Sequence, residues 1–239
     1  MRRAVLWIIF TVLFIGLVVT LLFTLNSFAK QEVKVLISGY LQSTLSLKEA
    51  PDVEVRGRFN PFRGYSDEVD IFIGSLEYGG FSFQEVSIEL KELKFNLFEV
   101  LLNPGEAEVA VSKIKMETTI SQDELNSFFS SRFPGLSIRL SAGEVIASGI
   151  LQILGRKLNF ELTGIMEISG GNSITLNPRN VSVDGYELSG EALNTVLNSL
   201  SYDINFGQLP LGVKISRIFI YEGFVTVLWE SEGLRIKAW

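Results

Sequence analysis

Before Lys30 the apolar positions have no period. Ala4–Leu25 is 22 residues without a charge, interrupted only by Thr11, Gly16, Thr20 and Thr24. At about 1.5 Å per residue this gives roughly 33 Å of helix, enough to cross a hydrocarbon core. After Lys30 a period sets in. Val33, Ile37, Tyr40, Leu41, Thr44 and Leu45 recur at three- and four-residue spacing, which predicts a helical stripe over Gln31–Lys48, ended by Pro51. From Pro51 to Thr119 alternation takes over: Val69, Ile71 and Ile73 alternate with other residues, and Tyr78-Gly79-Gly80 reads as a turn. Phe81–Leu97 then reads as one long strand, whose apolar series Phe81, Phe83, Val86, Ile88, Leu90 changes parity before Leu93, Phe95 and Leu97. The change predicts a bulge. A strand so much longer than the usual ~5–6 residues must also twist and curl.

Ser121-Gln122-Asp123-Glu124 is a capping box, with Ser121 taking an orphan amide and Glu124 reaching back. Leu125, Phe128 and Phe129 form the apolar face of the helix it starts, and Pro134-Gly135 stops it. Strands follow at Leu136–Leu140, Glu144–Leu154, Lys157–Ile168 and Ser173–Val183, with turns at Gly155-Arg156 and Gly170-Gly171-Asn172. Leu158, Phe160, Leu162, Met166 and Ile168 face one way and Asn159, Glu161, Thr163 and Glu167 the other, the pattern of a half-buried antiparallel strand. A third helix is expected at Gly190–Leu200, capped by Ser189, with Leu193, Val196, Leu197 and Leu200 as its stripe. A hairpin, Val213–Tyr221 and Phe224–Trp229, turns at Glu222-Gly223. Helices and strands segregate, so the expected class is α+β with a mostly antiparallel sheet. The expected division is residues 1–29 as anchor or signal segment and 30–239 as one exported domain.

Charge sets the topology. Arg2 and Arg3 precede the apolar run, which places the N-terminus in the cytoplasm and the chain beyond Lys30 outside. Two readings of the segment stay open. An uncleaved anchor fits a run longer than the ~7–15-residue core of a signal peptide, while Ser27-Phe28-Ala29 offers small residues where a signal peptidase cuts. The 210 residues after Ala29 carry 19 basic and 27 acidic side chains, a poor match to nucleic acid phosphates.

The chain has no Cys and no His, which removes disulfides, thiol nucleophiles, the usual general base and the commonest zinc ligand. Gly164, Gly170 and Gly171 do not form a dinucleotide fingerprint, and no Gly-rich loop with a Lys cradles phosphate. Paired carboxylates remain, but Glu85, Glu89, Glu92, Glu161 and Glu167 fall at solvent-facing strand positions. The expectation is a protein without catalytic residues, metal or cofactor. Asn180-Val181-Ser182 matches a glycosylation sequon. Arg56, Arg58, Phe59, Phe62 and Arg63 interleave cations and rings around Asn60-Pro61. That mixture suits lipid headgroups, and equally an ordinary turn anchored by its two Phe. Phe is 18 of 239 residues, and a curled sheet with helices inside has apolar surface with which to enclose an acyl chain.

The order of segments over residues 52–231 resembles the LmeA-like phospholipid-binding proteins, a bacterial envelope family. The resemblance runs from Thr118-Thr119-Ile120-Ser121-Gln122-Asp123-Glu124-Leu125-Asn126 through Phe133-Pro134-Gly135-Leu136, the strand around Gly149, and Leu154-Gly155-Arg156. It continues through Ile174-Thr175-Leu176-Asn177-Pro178 to Leu209-Pro210-Leu211-Gly212. Gly57-Arg58-Phe59-Asn60-Pro61-Phe62 resembles the family's Gly/Phe/Pro segment with an extra residue between Phe59 and Pro61. The resemblance implies a tubular lipid-binding (TULIP or BPI-like) fold, in which a long curved antiparallel sheet wraps amphipathic helices. It also implies phospholipid as partner. On that basis Ile37, Leu41, Leu125, Phe128, Phe129, Phe160, Leu162, Met166, Leu193 and Leu197 are expected to line the lipid site. The protein is then a single-pass one of the cytoplasmic membrane with its C-terminal domain outside, or a secreted one after cleavage near Ala29. The competing expectations are an interaction module with a solid core that pairs with an envelope protein through a sheet edge, and a carboxylate hydrolase.

Overall fold

A 43-residue helix, α1 (Arg2–Thr44), carries the apolar run and the periodic stripe without a break. The computed structural model describes residues 2–153, 156–190 and 202–237. The third helix expected at Gly190–Leu200, with Leu193, Val196, Leu197 and Leu200, lies outside them beyond Gly190, as does Gly155 of the turn expected at Gly155-Arg156. Helix α1 stops short of the expected Lys48. Ser46 takes a left-handed φ of 52°, and the Leu47 and Ser46 amides donate back to the Gln42 and Ser43 carbonyls at 2.9 and 3.3 Å. This is a Schellman closure with Ser where Gly is usual, so Pro51 only introduces the next strand.

Strands β1 (Asp52–Asn60), β2 (Tyr65–Tyr78), β3 (Phe81–Phe95) and β4 (Glu108–Ser121) lie in that order in one sheet. The sheet is completed by β12 (Phe224–Lys237) beside β4 and β11 (Lys214–Tyr221) at the edge. Strands β11 and β12 form the expected antiparallel hairpin, and β12 runs on to Lys237 rather than stopping at Trp229. The second sheet has the order β10-β8-β7-β6-β5, from β5 (Ser137–Ser141), β6 (Glu144–Ile153), β7 (Arg156–Ser169), β8 (Ser173–Val183) and β10 (Tyr202–Asn205). A short β9 (Tyr186–Glu187) pairs with β8, and every pairing in this sheet is antiparallel. The protein is α+β with an N-terminal apolar helix and large antiparallel sheets.

Two features of β3 depart from expectation. It ends at Phe95, and Leu97 opens a short helix, α2 (Leu97–Leu102), capped by Asn96, whose side chain accepts from the Phe98 amide at 3.0 Å. The strand also carries two parity changes. Phe83 and Val86 are both buried across Gln84-Glu85, and Leu90 and Leu93 across Lys91-Glu92, with Glu85 and Glu92 each at φ 53°. Each left-handed residue is a bulge that returns the apolar side chains to the inner face.

The chain forms two compact units, Met1–Asp70 with Leu90–Ser112 and Arg235–Trp239, and Ile71–Glu89 with Lys113–Leu234. In the first, β1 packs on α1 over the buried stripe Ala29, Val33, Ile37, Leu41 and Leu45. In the second, α3 (Gln122–Ser130) and the strands around it bury Phe81, Phe83, Phe129, Phe206 and Trp229. The Ser121 hydroxyl caps α3 by accepting from the Glu124 amide at 3.1 Å. The Glu124 carboxylate is used differently from the expected capping box: it accepts from the Ser82 amide at 2.9 Å and ties α3 to β3.

Candidate functional site

The first unit begins with exposed apolar surface on all sides of α1, including Trp7, Phe10, Phe14, Leu17, Leu21 and Phe23. This helix contains a run long and apolar enough to cross a membrane. From Ala29 onward one face closes against protein. The Arg/Phe cluster lies at the far end of β1. Asn60 caps a single 3-10 turn, Pro61–Arg63, by accepting from the Arg63 amide at 3.1 Å, and Gly64 closes it at φ 60°. A Cβ at Gly64 would overlap the Phe95 carbonyl, and the Gly64 carbonyl accepts from the Phe95 amide at 2.9 Å.

The structure separates the cluster's members. Phe59 is half-buried, stacked on Phe95 with ring centroids 5.6 Å apart, and is an anchor. Phe62 is exposed, so only one of the two rings anchors the turn. Arg56 pairs with Glu54 at 2.9 Å and Asp70 at 2.8 Å, and these carboxylates raise its pKa, the Glu54 hydrogen bond first. Arg58 lies on Asp67, whose carboxylate accepts from the Arg58 amide at 3.0 Å and from its Nε at 3.2 Å. The Arg58 amide above all, with the Tyr65 hydroxyl and the Arg58 guanidinium, holds the Asp67 carboxyl below its ordinary range, and the same contact raises the Tyr65 hydroxyl. Arg63 makes no ion pair among the described residues.

The second unit is built on rings. Phe128 of α3 stacks on Phe81 at 4.1 Å, and Phe81 meets Phe206 at 5.3 Å, which meets Trp229 edge-on at 5.5 Å. Phe129 abuts Tyr202 at 5.4 Å, and the Arg132 guanidinium lies 3.7 Å from the Phe128 ring centre. Buried within this cluster, the Trp229 indole N–H donates to the Thr118 hydroxyl at 2.9 Å. Offset and edge-on ring pairs of this kind each add about 0.5–1.5 kcal/mol beyond area burial.

The polar residues of the Thr118–Asn126 stretch brace the backbone. Gln122 and Asn126 lie one turn apart on α3 and both face β5, the edge of the second sheet. The Gln122 Oε1 accepts from the Leu140 amide at 2.8 Å. The Asn126 side chain both accepts from the Ile138 amide and donates to the Ile138 carbonyl. The free edge of β5 is thereby occupied by side-chain amides, the kind of cover that keeps an edge from pairing with another chain.

Of the residues expected to line a lipid site, Ile37 and Leu41 fall in the first unit and Leu125, Phe128, Phe129, Phe160, Leu162 and Met166 in the second. Leu193 and Leu197 lie outside the described residues. Ile37, Leu41, Leu125 and Phe129 keep at most 2% of their surface accessible, and Phe128 and Leu162 are also buried. In this conformation the first four touch protein on every side. Phe160 and Met166 are half-buried. Phe160 pairs with Gly149 across β6 and β7, and a Cβ at Gly149 would stand 2.7 Å from its ring, so the glycine lets the ring lie over the strand. An open recess of about 520 Å³ beside it is lined by Ser137, Ser148, Asn159, Glu161 and Ser182 as well as Phe160 and Ile150. Its lining is too polar for an acyl chain.

Sequence reasoning missed Phe98 and Leu102 on α2, both exposed apolar side chains. The available signal was Asn96 with Glu99 three residues on, a cap pair that the structure realises with a 2.9 Å bond between them.

A helix with a run of membrane-crossing length and large antiparallel sheets define an α+β protein with an N-terminal apolar segment. The chain belongs to the LmeA-like phospholipid-binding family, whose model matches residues 24–229 and so reaches into both units. No curated protein and no solved structure matches the chain.

Proposed function

We propose that this protein binds phospholipid outside the cytoplasm while α1 holds it in the cytoplasmic membrane, and that it works without catalysis. The family match over 24–229 carries the reading. The uncleaved anchor is supported by the continuity of α1 through Ser27-Phe28-Ala29, where Ala29 is fully buried. We further propose a tubular lipid-binding fold, supported by strands of 14 and 15 residues with bulges at Glu85 and Glu92 that bend the sheet. Lipid is held by apolar contact within the second unit, with Leu125, Phe128, Phe129, Phe160, Leu162 and Met166. Each buried methylene of an acyl chain contributes about 0.8 kcal/mol before ordering costs.

Because Leu125 and Phe129 are sealed, lipid entry must part packed side chains. Native mass spectrometry of the full chain extracted from membranes tests this reading. It should show phospholipid retained on the protein, and transfer between vesicles should exceed the protein-free rate. A chain that never carries lipid, moves none and recovers one stoichiometric protein in a pull-down would overturn it. That outcome would favour the interaction module, which the same sealed packing supports.

A further inference from the structure

We propose that α2 and the Pro61–Arg63 turn form a wedge seated in the headgroup layer of the leaflet from which α1 emerges, with Phe62, Phe98 and Leu102 in the acyl boundary and Arg63 on phosphate. The inference rests on the anchored reading above and concerns the first unit alone.

The buried stripe of α1 starts at Ala29, directly after the exposed apolar run, and ends at Leu45, about 24 Å further along the helix. A short connection then leads into β1, which packs on α1 and whose first residues, Asp52 and Val53, share a recess with α1 residues from Gln31 to Gln42. Nine residues of strand cover roughly 30 Å, so β1 carries the Pro61–Arg63 turn about that far from the recess. The Pro61–Arg63 turn at its end meets α1 again, and α2 packs against both. Turn and helix α2 therefore lie against the helix that carries the membrane-length run.

What they display there is unusual for a water-facing surface. Phe62 is 60% exposed, and Phe98 and Leu102 are each 72% exposed. Three large apolar side chains beside an Arg without an ion pair among the described residues are the composition of an interfacial element, apolar groups for the acyl boundary and a guanidinium for phosphate. Continuity with the membrane-length run of α1 selects a bilayer over a protein as the occupant.

The chain has no Cys, so a single introduced cysteine is a unique label site. Phe62→Cys, Phe98→Cys and Leu102→Cys, each nitroxide-labelled in the full chain in phosphatidylglycerol-containing nanodiscs, should collide more often with oxygen than with a water-soluble nickel chelate. Ala50→Cys, exposed at the opposite end of β1, should show the reverse. Labels at 62, 98 and 102 that behave like Ala50→Cys overturn the proposal. So do labels shielded from both reagents, which would indicate a second protein chain on this surface. Lipid retention measured on the same samples is a separate readout, so loss of lipid with membrane-seated labels counts against lipid binding only.

Discussion

Asn126 brackets Ile138: its Oδ1 accepts from the Ile138 amide at 2.6 Å and its Nδ2 donates to the Ile138 carbonyl at 2.9 Å. One side chain does for β5 what a neighbouring strand would do. Asn126→Leu leaves both backbone groups unpaired and should lower stability by about 1–3 kcal/mol in urea unfolding. Hydrogen exchange at the Ile138 amide should accelerate before that of β7. Unchanged protection at Ile138 would show that the bracket contributes nothing.

Thr118 and Trp229 are joined at 2.9 Å in a buried setting. Thr118→Val keeps the volume but leaves the indole N–H without its acceptor, at a cost of about 1–3 kcal/mol. In the Trp229→Phe background the same Thr118 change should cost less, because the donor is gone. A double-mutant cycle by thermal unfolding reads the difference.

Gly64 and Gly143 share left-handed backbone, at φ 60° and 82°, but not surroundings. Nothing stands near a Cβ at Gly143, whereas at Gly64 it overlaps the Phe95 carbonyl. Gly143→Ala should cost about 1–2 kcal/mol, the ordinary left-handed penalty. Gly64→Ala should cost clearly more and loosen the junction that carries α2. Equal midpoints for the two variants in chemical denaturation would contradict this.

Asp67 sets an acid dependence. Its pKa is depressed in the folded state, so its stabilisation is complete above the unfolded value near ~3.9 and is lost as pH falls through the lower folded value. Asp67→Asn should be less stable than the parent at neutral pH, and the two unfolding curves should converge in acid. Tyr65 works in the opposite sense: its raised pKa contributes below the ordinary tyrosine value and is lost as alkali deprotonates the folded form. A pH series of unfolding midpoints for Asp67→Asn and Tyr65→Phe separates the two limbs.

Elements with a repeating period were legible from sequence. The α1 stripe, α3 and strands β5 to β8 all show their inner face as a regular series, and period is what burial writes into a chain. Helix α2 has six residues, too few for a period, and only its Asn96/Glu99 cap pair announced it. The bulge at Glu85 was hidden because Gln84-Glu85 reads as two more polar residues, and the end of α1 because Ser46 sits where glycine is usual. Gln122 and Asn126 look like surface residues, since nothing in a sequence says that Leu140 and Ile138 arrive opposite them. The lipid-site reading has the same limit. A period says that Leu125 and Phe129 point inward, not whether they meet protein or an acyl chain.

Helix α1 has no break between its apolar run and the stripe that holds β1. A helix in a bilayer adjusts its tilt to the local hydrocarbon thickness. Without a hinge, any such tilt becomes the tilt of the first unit, and the angle at which α2 and Phe62 meet the surface changes with it. On the anchored reading proposed above, bilayer thickness becomes a mechanical input, set by lipid chain length and felt far from the span itself.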